Sequence, residues 1–149
     1  MANTSFLGAE VEDSVRSTLS HEMGLEFGKK KLRLKSGGEF NFDAVSSDGS
    51  IVVSIKSSRG ATRSGKPTTG AIKAAIADLY FLSLIEAKRR ILVVTDKGFY
   101  DRLSHDLRQR IAPGLELMHV PLPAQLQQKV QAALDFASNE VRSKADGSE

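Results

Sequence analysis

The chain has 149 residues, 40% apolar and 26% charged, with no cysteine, a make-up that fits one globular domain with a real core and excludes disulfides and thiolate metal sites. No apolar run approaches the roughly 20 residues of a membrane span, and Met1 to Leu7 lacks a basic region followed by an apolar one, so the expected setting is cytoplasmic, with no membrane partner. The net charge of +3 is uneven: residues 1–26 hold five acids and one base, residues 27–73 ten bases and three acids, and residues 74–149 ten of each, so the middle of the chain is suited to a polyanion, most simply nucleic acid.

Leu7, Val11, Val15 and Leu19 recur at helical spacing and predict a helix from Leu7 to about Met23, ended by Gly24. Glu12 falls nearer the edge of its apolar stripe than Glu10, which makes Glu12 the acid that can look along the core boundary toward a strand. Lys31-Leu32-Arg33-Leu34-Lys35 then alternates as a half-buried strand does, and Ser36-Gly37-Gly38 turns the chain. A three-residue loop there pairs Leu32 with Phe42 and Leu34 with Phe40, leaving Lys31, Arg33 and Lys35 on the other face.

Two runs rich in β-branched and aromatic residues, Phe40 to Ser47 and Ser50 to Lys56, flank Asp48-Gly49 and predict a β-hairpin with a two-residue type I′ loop. That register sets Asp43 opposite Ser54, with Lys56 further along the same face. An acid, a hydroxyl and an amine then converge on half-buried strands, where unpaired charge is costly. The hairpin is therefore the place to look for chemistry.

Ser57 to Thr69 holds Arg59, Arg63 and Lys66 and no acid, a basic loop able to contact a phosphate backbone. Gly70 to about Lys88 reads as a helix, apolar nearly all round and so expected to be buried, with Lys73 and Asp78 its only charges between Ile72 and Ile85. Arg90 to Thr95 is a continuous apolar run expected to be a central strand. Tyr100 to Ile111 reads as a surface helix, Leu115 to Val120 as a further strand and Ala124 to about Val141 as a last helix. One domain is expected over 1–141, with a disordered polar tail over 142–149. His21, His105 and His119 have no metal-ligand spacing.

The order helix, three strands, helix, strand, together with Asp43 on the second strand and Ser54-Ile55-Lys56 on the third, resembles the PD-(D/E)XK superfamily of restriction-endonuclease-like nucleases. The resemblance covers residues 7 to about 95, and Gly8-Ala9-Glu10-Val11-Glu12 is similar to the first-helix Gly and Glu of the junction-resolving branch. It implies an α/β (α+β) fold with an α-β-β-β-α-β core, a mixed sheet flanked by helices and a C-terminal helix. It also implies a Mg²⁺ (or Mn²⁺) dependent DNA endonuclease, in which Asp43 is the principal metal ligand, Lys56 the catalytic lysine and Glu12 a supporting acid. The basic residues Lys31, Arg33, Lys35, Arg59, Arg63, Lys66 and Lys73 would meet phosphates, and a homodimer would serve to cut two strands.

Ser54 stands where that signature carries an acid, and a hydroxyl is a far poorer ligand for Mg²⁺ than a carboxylate. Some restriction enzymes of the superfamily with Ser-x-Lys take the acid from the following helix, which brings in Asp78. Two other readings remain: a catalytically inactive nuclease-fold module that binds nucleic acid or a partner, and a small regulatory interaction domain.

Overall fold

The computed structural model describes residues 4–57 and 69–133. Its elements are α1 (Thr4–Met23), β1 (Phe27–Arg33), β2 (Glu39–Ser46), β3 (Ile51–Lys56), α2 (Thr69–Ser83), β4 (Arg89–Val94), α3 (Lys97–Asp106) and β5 (Leu115–His119), followed by a helix over residues 124–133. This is the expected α+β class, a five-stranded mixed sheet flanked by helices and followed by a C-terminal helix. The strands lie in the order β1-β2-β3-β4-β5. β1, β2 and β3 form an antiparallel meander, and β4 and β5 run parallel to β3.

Two layers of side chains cover the sheet. On one face, Val11, Val15 and Leu19 of α1 pack on Ile51, Val53, Ile55, Ile91 and Val93, with Leu126 and Val130 of the last helix against the same cluster. On the other, Ala75, Leu79 and Leu82 of α2 and Phe99 and Leu103 of α3 pack on Phe42, Val52, Leu92 and Val94. β3 is the middle strand, and β4 is the interior strand beside it, with Ile91 to Val94 fully buried as its composition predicts. No helix among the described residues is long and apolar enough to cross a membrane.

Three local expectations change. The β2–β3 register is the expected one, with Ala44 opposite Val53 and Val45 opposite Val52, but the loop spans residues 47–50 rather than two. Gly49 alone takes the left-handed conformation (φ +75°), and the Asp48 carboxylate accepts from the Ser46 hydroxyl, the Ser50 N–H and the Ser50 hydroxyl at 2.7–3.0 Å. These three donors pull the Asp48 pKa down to about 2. A turn stabilised by its own carboxylate does not need left-handed geometry at Asp48.

The β1–β2 register is displaced by two residues from the expected one, pairing Leu32 with Phe40 and Arg33 with Glu39. A shift of two keeps every side chain on its face, so Leu32 and Phe40 still meet the α2 layer. α2 stops at Ser83, short of Lys88, and is not buried all round: Ile76 and Tyr80 stand in solvent. The expected continuation of the last helix to Val141 and the tail over 142–149 lie outside the described residues.

Candidate functional site

Asp43 sits at an irregularity that the sequence does not announce. Gly28 pairs with Val45 and Lys30 with Phe42, so Lys29 alone faces two residues of β2, Asp43 and Ala44. This is a β-bulge, which leaves an extra residue unpaired and re-aims the side chains next to it. Phe42 and Val45 lie in the α2 layer, whereas Ala44 packs in the α1 layer. Asp43 turns the same way as Ala44, toward Glu12 of α1.

Two backbone polar groups at the bulge are satisfied by side chains. Asp43 Oδ2 accepts from the Ile55 N–H at 2.8 Å, and the Asp43 carbonyl accepts from Arg16 Nη1 at 2.7 Å. Arg16 also donates to Asp13 at 2.6 Å and lies 3.9 Å from Glu12. The regular β2–β3 pairing stops at Ala44–Val53. Beyond it, side chains from α1 and β2 replace the ladder.

The Glu12 carboxyl lies close to that of Asp43. Burial is the main cause that raises the Asp43 pKa above the usual carboxylate range. The Ile55 N–H opposes it, the hydrogen bond to and charge of Glu12 add to it, and Lys29 works against it. Two carboxyl groups this close hold a proton between them or share a cation.

Ser54 and Lys56 follow the parity of Val52 and face the α2 layer. Lys56 Nζ makes an ion pair with Asp78 Oδ2 at 2.8 Å, with the side chains 25% and 17% exposed. Ser54 is 1% exposed, and its Oγ has no hydrogen-bond partner among the described residues. The expected convergence of Asp43, Ser54 and Lys56 on one face is thus corrected. The bulge sends Asp43 to Glu12, and the hydroxyl and amine go to the α2 side. The two pairs lie on opposite faces of the sheet and meet β3 at consecutive residues, Ile55 and Lys56.

The Asp78 carboxylate is taken up in its ion pair with Lys56. Among the described residues no group of three or more His, Asp or Glu side chains is placed to hold one metal ion. Glu12, Asp43 and Asp78 therefore do not form a single ligand set. The pair Glu12 and Asp43 offers two carboxyl groups, and Mg²⁺ commonly takes one or two while keeping several waters.

Of the basic residues, Lys31 and Arg33 are exposed on β1 and Lys35 in the loop after it. Lys31 lies 4.0 Å from Glu39. Lys73 is exposed on α2. Arg59, Arg63 and Lys66 lie outside the described residues. Sequence reasoning missed Arg16 and Lys29. Arg16 follows Glu12 by one helical turn, a spacing that was readable, whereas Lys29 reaches Asp43 only because of the bulge.

Comparisons with protein-family models, with curated proteins and with solved structures gave no match. The site's own geometry has to carry the functional reading.

Proposed function

We propose that the chain is a Mg²⁺- or Mn²⁺-dependent phosphodiester hydrolase acting on DNA, of the restriction-endonuclease-like kind. The observation that carries this reading is the Glu12–Asp43 carboxyl pair, held where the β2–β3 ladder ends and one residue from Lys56 along β3. The element order α-β-β-β-α-β and the parallel β3–β4 pair agree with it.

Glu12 and Asp43 would hold the ion, which when bound polarises the scissile phosphate and acidifies a water. The rest of the work falls to the chain. The Ile55 N–H and Arg16 fix the Asp43 carboxylate and carbonyl, so the carboxyl pair is preorganised rather than assembled on binding. The ion pair with Asp78 orients Lys56, whose amine would donate to a phosphate oxygen or the attacking water. Lys29, Lys31 and Arg33 form an exposed cationic row on the edge strand, suited to the phosphates that flank the cut.

One observation favours a second reading, a nuclease-fold module that binds nucleic acid without cutting it. Ser54 is neutral and enclosed on the α2 side of the sheet, so it adds no ligand to the Glu12–Asp43 pair. A cleavage assay on supercoiled, linear and branched DNA with Mg²⁺ or Mn²⁺ separates the two. Under the first reading the wild type nicks DNA, and Asp43→Asn and Lys56→Met do not. Binding that weakens steeply with salt, without cleavage, moves the conclusion to the second. Neither cleavage nor binding at low salt leaves a regulatory domain.

A further inference from the structure

On the side of the molecule where α2 meets α3 and β5, the described residues leave an apolar surface open. Ile76 and Tyr80, one helical turn apart on α2, are the exposed large apolar side chains of the structure, at 44% and 60%. With Leu107, Ile111 and Leu115 they line a groove of about 220 Å³. A wider, more polar cleft of about 490 Å³ adjoins it, sharing Ile76, Leu107 and Arg110 and adding Ile72, His105, Asp106 and Arg108. Burial of such surface is favourable by roughly 25 cal/mol per Å², so a free α2 face of this kind is a binding surface in waiting.

The charges around it narrow the occupant. Arg108 and Arg110 border the clefts and are exposed. Neither has a carboxylate partner among the described residues: Arg110 reaches only the Asp106 carbonyl, at 3.5 Å, and the Asp106 carboxylate is taken by Arg102 at 3.0 Å. A second copy of this chain packed symmetrically through the groove would set this cationic border against itself, which opposes a symmetric dimer here. A nucleic acid would meet the arginines but waste a floor that is largely aliphatic. A peptide that is apolar on one side and acidic on its flanks satisfies both features.

We infer that the α2–α3–β5 groove is a docking site for an acidic amphipathic helix of a partner protein, its apolar face on Ile76, Tyr80 and Leu107 and its carboxylates on Arg108 and Arg110. This is the helix-in-groove mode of recognition. It lies on the α2 side of the sheet, away from the Glu12–Asp43 pair, and stands whether or not the chain cuts DNA.

The test is a selection of randomised 16-residue peptides displayed on phage against the full chain, counter-selected on Ile76→Asp/Tyr80→Asp. Both positions are exposed, so the variant should keep the wild-type melting temperature. The expected winners carry apolar residues at i, i+3/i+4 and i+7 with Asp or Glu beside them. As synthetic peptides they should shift the amide resonances of α2 and residues 105–112. Arg108→Glu/Arg110→Glu should weaken them at least tenfold and bind better a version of each peptide with Lys in place of its acids. No enrichment, basic or uncharged winners, or indifference to the arginine reversal would overturn the inference. So would concentration-dependent dimerisation abolished by Tyr80→Asp, which would give the groove to a second copy, or a DNA oligonucleotide that shifts the same resonances.

Discussion

The Asp43 carboxylate takes the Ile55 N–H at 2.8 Å, a donor that an uninterrupted sheet would have given to a β2 carbonyl. One side chain thus closes the backbone accounting at the bulge and forms half of the carboxyl pair. Stability and chemistry are set against each other at this residue, because burial makes the ionised form costly just where a cation needs it.

Asp43→Asn should separate the two roles. The amide oxygen can still accept from Ile55, and the amide N–H can donate to Glu12. With its pKa raised above 3.8 on folding, Asp43 binds more protons folded than unfolded, so wild-type stability should fall as pH rises from near 3.8 through the raised value. Urea unfolding from pH 4 to 7 should show that loss in the wild type and not in Asp43→Asn, which should be the more stable protein at pH 7. Asp43→Ala leaves the Ile55 N–H without its partner and should cost about 1–3 kcal/mol. Both variants should lose cleavage, so activity and stability should part company in the Asn variant.

Arg16 is predicted to matter more than an ordinary surface arginine. It holds the Asp43 carbonyl and sits between Asp13 and Glu12. Arg16→Met should cost on the order of 1–3 kcal/mol by leaving that carbonyl unmatched. It should also speed hydrogen exchange at the Ile55 amide, which NMR reads directly. Unchanged exchange at Ile55 would show that the bulge stands without it.

Ser54→Ala should be neutral or stabilising by up to about 1 kcal/mol, because an enclosed hydroxyl without a partner costs free energy that a methyl group does not. Thermal melting of the two proteins at equal pH measures the sign. A clear loss of stability would mean that the Ser54 hydroxyl is satisfied in solution.

Asp78→Asn should destabilise by about 1–2 kcal/mol, since Lys56 keeps a part-buried charge and loses its partner, while the remaining exposure of both side chains tempers the cost. Asp78→Asn/Lys56→Met should recover part of that loss. Denaturant midpoints for the two singles and the double give the coupling. A coupling near zero would mean that the pair contributes nothing to stability.

The sequence by itself determined the period of each element, and with it the class of the fold. Leu32, Phe40 and Phe42 share the face their alternation predicts, and the Ile91 to Val94 run is an interior strand, because burial on one face or two is written in hydrophobic spacing, whereas Val52 joins the Phe42 layer only because the bulge reverses the parity of β2. It also singled out Asp43, Lys56, Lys73 and Asp78 as charges in places where charge is expensive, and Glu12 by its place at the edge of an apolar stripe. What it could not supply was which of them meet. A bulge adds one residue to one strand and reverses parity, and its cost and benefit depend on partners from α1 and β1 that are distant in sequence. Tertiary structure alone therefore decided that Asp43 goes with Glu12, that Lys56 goes with Asp78, and that Arg16 and Lys29 belong to the site. The open face of α2 was hidden for the same reason: an apolar helix reads as buried until the layer that should cover it is counted and found to stop short of Ile76 and Tyr80.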